Sequence, residues 1–135
     1  MKKRVLIFGT IAVVLLVILV IWFNATIDLM NLDSNEVVEI VVFNGNTGKE
    51  TRITDETQIE NIINNLNEIK IKRWKPSVGY MGYSFNVTIY LSDGNTASGW
   101  NNFVINSSNT IRKDPFFYTV VDGSIDYDYI ASIVD

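Results

Sequence analysis

The chain has 135 residues and a mass of 15.3 kDa, the size of one ordinary domain. It contains no cysteine and no histidine, which removes disulfides, thiol nucleophiles, imidazole bases and zinc sites built from thiolate or imidazole. The net charge of −4 is unevenly spread, because Lys2, Lys3 and Arg4 lie at one end, and from Asn24 onward eight basic side chains face fifteen acidic ones, a net −7. That balance argues against nucleic-acid binding, whose affinity comes from neutralising phosphates with a basic surface.

Lys2, Lys3 and Arg4 precede an uncharged run of 19 residues, 5–23 (VLIFGTIAVVLLVILVIWF), close to the roughly 20 that a helix needs to cross a bilayer. No basic residue follows until Lys49, so residues 1–4 are expected to stay cytoplasmic and the rest to lie outside the cell membrane. The apolar run exceeds the roughly 7–15 residues of a cleaved signal peptide. It also ends in bulky Ile21, Trp22 and Phe23 instead of a small-residue cleavage site. An uncleaved anchor over 5–23 is therefore expected, with Trp22 and Phe23 at the outer interface. Residues 24–35 (NATIDLMNLDSN) lack periodicity and read as a short tether.

Residues 36–135 are expected to form one extracytoplasmic domain. Val37 to Phe43, rich in β-branched residues and stopped by Asn44-Gly45-Asn46-Thr47-Gly48, predicts a central strand turning into a short strand at Glu50 to Ile53. Asp55 is placed to cap a helix, with Gln58 as its capping-box partner. Ile59, Ile62, Ile63 and Leu66 then form one apolar stripe. Ile69, Ile71 and Trp74, interleaved with Lys70, Lys72, Arg73 and Lys75, read as a strand with one basic face, stopped by Pro76. Ser77 to Gly82 is a glycine-containing loop. Tyr83, Phe85, Val87, Ile89 and Leu91 alternate with polar residues as a half-buried strand. It leads through Asp93-Gly94, read as a two-residue hairpin turn, into a return strand from Thr96 to about Ile105, with Gly99 marking an irregularity. Short strands at Thr110 to Arg112 and Phe116 to Val121, then a helix within Ser124 to Val134 capped by Ser124 or Asp126, complete the chain. The fold class expected is α+β: a mostly antiparallel sheet with one amphipathic helix and a short C-terminal helix packed on it.

The basic N-terminus, the single span and the segments ITDETQIENIINNL, GYSFNVTIYLSDGN and NTIRKDPFFYTVVDGSIDYDYI together resemble small membrane-anchored proteins and lipoproteins of unknown function from Gram-positive bacteria. The resemblance implies location and fold; no catalytic residue comes with it.

Two groups of side chains are candidate ligand-binding residues. Lys70, Lys72, Arg73 and Lys75 beside Trp74 hold half of the domain's basic residues and could engage anionic wall polymer or lipid headgroups. Alternating lysines on a strand also serve to block edge-to-edge pairing. Tyr80, Tyr90 and Trp100, with Trp74, are the aromatic residues least committed to a core and could line a groove for sugar or peptide. Asp122, Ser124, Asp126 and Asp128 mimic a calcium loop, but its glycine and glutamate positions fall on Tyr127 and Ile133. No metal or cofactor is thus expected. No catalytic motif is visible either, and a non-enzymatic binding module is the leading expectation. The expected partners are the membrane itself and an envelope protein, a peptide or a cell-wall component. The alternatives are a structural accessory subunit of an envelope complex and a carboxylate-dependent hydrolase, the latter needing two acids in one pocket.

Overall fold

The computed structural model describes residues 1–97, 99 and 102–135. Helix α1 (Lys2–Asn24) spans 23 residues, and its most apolar 18-residue window has a mean hydropathy of 3.2 with none of it buried. It is long and apolar enough to cross a membrane. At Ala25 the backbone turns to φ −62°, ψ 132°, and strand β1 (Thr26–Asp28) begins at the next residue.

The remaining elements are strands β2 (Val37–Asn44) and β3 (Lys49–Ile53), helix α2 (Glu56–Asn67), strands β4 (Lys70–Pro76), β5 (Phe85–Leu91), β6 (Asn102–Ser107), β7 (Thr110–Lys113) and β8 (Phe116–Asp122), and helix α3 (Tyr127–Val134). All eight strands join one sheet in the order β1-β4-β8-β7-β6-β5-β2-β3. Every neighbouring pair is antiparallel. The fold is thus α+β, as the pattern of elements predicts.

One face of the sheet carries Ile40, Val42, Phe85, Val87, Ile89, Phe103, Ile105, Ile111 and Tyr118, which pack with the α2 stripe Ile59, Ile62, Ile63 and Leu66 and with Ile130 and Val134 of α3 in a single core. Each fully buried aliphatic side chain stabilises the fold by about 1.5–3 kcal/mol, so the α2 stripe alone explains why that helix docks where it does. Asp55 caps α2 by accepting from the Gln58 amide at 2.9 Å. Asp126, and not Ser124, caps α3, accepting from the Tyr129 amide at 3.3 Å. The opposite face carries the ion pairs of Arg52 with Glu39 and Glu50, and at its other side the loop between β4 and β5.

Three sequence readings change. Residues 24–35 are built into the fold: Thr26, Ile27 and Asp28 pair with Lys72, Ile71 and Lys70, and Leu29 is fully buried. The Asn67 side chain, donating to Leu32 O at 2.8 Å and accepting from Leu32 N at 3.0 Å, holds the following backbone as another strand would. The β5 hairpin has a three-residue loop: Leu91 N donates to Asn95 O at 2.8 Å and Gly94 N to Leu91 O at 3.0 Å. Gly94 has φ +83° and no non-glycine described residue has a positive φ, so the turn is type I closed by a left-handed glycine, since the two-residue alternative would need Asp93 left-handed as well. Finally, β5 pairs Thr88 with Asn102, whereas the neighbouring Ile89 O accepts from Ala97 N. The return strand expected from Thr96 thus begins at Asn102, with Thr96 making only an isolated bridge to Tyr90; the irregularity anticipated near Gly99 falls within 98–101, of which only Gly99 is among the described residues.

Candidate functional site

The candidate residues on β4 are distributed by its register. Lys70 stands between Asp28 of β1 and Asp122 of β8, and Lys72 between Thr26 and Thr119. These two lysines therefore sit among polar neighbours, and the slip between Arg73 and Lys75 returns Lys75, opposite Phe117, to their face of the sheet, whereas Arg73, opposite Tyr118, turns to the core face. Nor is β4 an edge strand, because the short β1 covers Lys70 to Lys72. The tether is what makes the difference: once residues 26–28 join the sheet, aggregation control ceases to explain Lys70 and Lys72.

Arg73 belongs to the helix junction. Its guanidinium carbon lies 3.7 Å from the centroid of the Trp22 ring, and Nη1 donates to Trp22 O at 2.9 Å. The Tyr118 ring is 6.0 Å from the same carbon. Phe116 receives both Trp22 and Phe23 edge-on, with centroids 5.8 and 6.1 Å away. A stacked guanidinium with a charge-assisted hydrogen bond and two aromatic pairs thus clamp the last turn of α1 to β4 and β8.

Trp74, Lys75 and Tyr80 do converge. The β4–β8 register slips between Arg73 and Lys75, which leaves Trp74 as the bulged residue, turned outward and about half exposed at 51%. The Lys75 ammonium lies 4.4 Å from the Trp74 ring, 4.8 Å from Tyr80 and 5.2 Å from Phe117, and donates to Tyr80 Oη at 3.4 Å. Tyr80 stands edge-on to Phe117 at 5.0 Å. The loop that carries Tyr80 is fixed at three points. Ser77 N donates to Pro115 O at 2.8 Å. Ser77 Oγ donates to Asp114 at 2.6 Å. Arg112 Nη1 donates to Tyr80 O and Gly82 O at 3.2 and 3.1 Å. Arg112 was not among the sequence candidates, and Phe117 read as one of the aromatic residues committed to the core; neither strand alternates regularly enough to reveal which face they use.

Tyr90 lies elsewhere, half-buried on β5 opposite Glu39 and bridged to Thr96. Trp100 lies outside the described residues.

A second feature was not anticipated as a site. Asn65, Asn106, Ser107, Ser108, Ser124, Asp126, Tyr127 and Asp128 line an open cleft of about 650 Å³. Asn65 organises it, donating to Ser124 O at 2.9 Å and accepting from Asp126 N at 2.9 Å, while Ile125 N donates to Ser108 O at 2.9 Å. In sequence these residues read only as a turn, a helix start and, for Asn65, the polar side of α2. The segment resembling a calcium loop is this wall of the cleft, with Asp126 occupied in capping α3; among the described residues no group of three or more acids is arranged to hold a metal. Along β8 the cleft adjoins the Asp122 end, because β7 begins there opposite Thr119, whereas α1 is clamped at the Phe116 end. No family model, curated protein or solved structure matches this chain.

Proposed function

We propose that this protein is a single-pass, membrane-anchored binding module of the cell envelope, with residues 1–4 cytoplasmic and the α+β domain held against the outer face of the membrane. The observation that carries this reading is the junction: one residue, Ala25, separates α1 from the sheet, and Arg73 and Phe116 clamp Trp22 and Phe23. A helix joined so tightly to a domain sets that domain's distance and attitude, which an enzyme acting on diffusing substrates does not need. The polar cleft then opens at the far end of β7 and β8, away from the anchor. Its hydroxyl, amide and carboxylate lining suits a hydroxyl- or amine-bearing ligand such as a wall glycan or a peptide.

The test is site-directed photo-crosslinking of the full chain in intact cells, with the photoreactive residue at Ser107 or Asp128 in the cleft, at Glu60 on α2, or at Thr10 within α1. A discrete adduct from the two cleft positions alone supports the binding module. Adducts from Thr10 alone would instead identify an accessory subunit of a membrane complex. Labelling of Lys2→Cys from outside the intact cell, in a chain with no other cysteine, would overturn the orientation.

A further inference from the structure

We propose that the β4–β5 loop, residues 77–82, is a second membrane contact, dipping into the headgroup layer of an anionic bilayer beside the exit of α1. The proposal rests on α1 being a membrane span, and deepens that reading by assigning a lipid-binding surface to the domain itself.

Three independent observations carry it. The first is position. Phe116 and Phe117 are neighbours on β8 whose side chains point to opposite faces of the sheet. Phe116 packs against Trp22 and Phe23 of α1, and Phe117 packs against Tyr80 of the loop. Helix exit and loop therefore flank the same end of one strand, one on each side. If Trp22 lies at the interface, the loop lies at its level.

The second is exposure. Ser77 to Tyr80 forms a turn closed by Tyr80 N donating to Ser77 O at 3.1 Å. Gly79 at φ +87° occupies the left-handed position of a type II turn, which pushes Val78 out at the tip. Val78 is 80% exposed and Met81 89%, beside half-exposed Trp74 and Tyr80. Among the described residues that follow α1, Val78 and Met81 are the most exposed large apolar side chains, and the loop they occupy is held in place by Arg112 and Ser77. A fixed loop that presents two aliphatic tips between a Trp and a Tyr has the composition of an interfacial anchor.

The third is charge. At the Phe116 end of β4, β7 and β8 stand Arg73, Lys75, Arg112 and Lys113 with a single carboxylate, Asp114, which is itself engaged by Ser77 and Arg112; Glu36 and Asp93 stand at the same end of the sheet but across it, beside β2 and β5. The rest of the chain from Asn24 onward has four basic side chains against fourteen acidic ones. The domain is thus acidic except around the loop and the α1 exit, the polarity that attracts an anionic leaflet to that side of the domain.

The experiment uses the full chain reconstituted in vesicles of phosphatidylcholine alone or with phosphatidylglycerol. Single cysteines are introduced at Val78, Met81, Ser108 and Leu16 and carry an environment-sensitive fluorophore, with nitroxide lipids as quenchers. The proposal expects headgroup-level quenching at 78 and 81 to exceed that at 108 by about threefold or more, and to weaken when phosphatidylglycerol is left out or when Lys75→Gln and Lys113→Gln are combined. Equal quenching at 78, 81 and 108 while Leu16 is quenched from the bilayer centre overturns the loop contact and leaves the span intact. An unquenched Leu16 overturns the span and the loop contact with it. Shielding at 78 and 81 that rises with protein density at constant lipid, or that needs added envelope extract, identifies a second copy or a protein partner and also overturns the proposal.

Discussion

Replacing Arg73 by alanine should loosen the domain on its helix without unfolding it. The stacking on Trp22, whose ring is about half exposed, is worth about 1 kcal/mol in such a setting. The hydrogen bond from Nη1 to Trp22 O adds about 1 kcal/mol at an exposed site. Together they make about 2 kcal/mol, roughly thirtyfold in the equilibrium between clamped and released arrangements. After the substitution the clamp rests on the three-residue β1–β4 pairing and on Phe116. Spin labels at Leu16→Cys and Glu60→Cys in lipid nanodiscs should give one narrow distance distribution in the parent and a second, broader population in Arg73→Ala. Arg73→Lys should fall between them, because an ammonium keeps the charge but not the planar stack. An Arg73→Ala distribution as narrow as the parent's would sink the argument and leave the backbone pairing as the whole connection.

Four further outcomes follow from local geometry. Gly45→Ala should lower the melting temperature by roughly 10 °C, since a methyl group there strikes the Tyr83 carbonyl oxygen and lies 2.9 Å from its ring; an unchanged melt in the solubilised full chain contradicts this. Asn67→Ala leaves Leu32 N and O without their partner and should cost about 2 kcal/mol, read as faster amide exchange at Leu32; unchanged protection there refutes it. Asp55→Ala removes the α2 cap and should cost about 1 kcal/mol, largely restored by Asp55→Asn; equal denaturation midpoints for all three chains would exclude a capping role. Asp33 and Asp93 are held below the ordinary 3.8 chiefly by accepting from the Asn35 and Asn95 amides, so the stability they contribute is present above about pH 3.8 and lost as pH falls through their lower folded values. A carboxyl-carbon titration placing either midpoint at or above 3.8 is incompatible with that sign.

The fold was legible wherever a periodicity ran long enough to name a face. The α2 stripe and the alternation through Phe85, Val87 and Ile89 placed core residues correctly because burial on one side is all that such patterns require. The tether failed as a reading because β1 has only three residues, and what holds it is β4, more than forty positions away. The hairpin length was missed because Asp-Gly serves both a two-residue turn and the last two places of a three-residue one. The candidate site was half legible. Residue type singled out Trp74, Lys75 and Tyr80, but their meeting depends on the bulge at Trp74 and on Phe117, neither of which has a local signal. The basic cluster was over-read in one member: Arg73 faces away from Lys70 and Lys72, while the slip at Trp74 brings Lys75 back to their face.

The single-residue passage from α1 into β1 couples rotation of the helix to the domain. Each helical residue turns the chain by about 100° and advances it about 1.5 Å, and Thr26 is locked opposite Lys72. One residue added before Ala25 would therefore either unwind the last turn or swing Trp22 away from Arg73 by more than a quarter circle. The join behaves as a keyed shaft, so with α1 in a bilayer, as proposed, whatever neighbours the helix there would also dictate which side of the sheet it meets outside. A partner that turned the helix would aim the cleft.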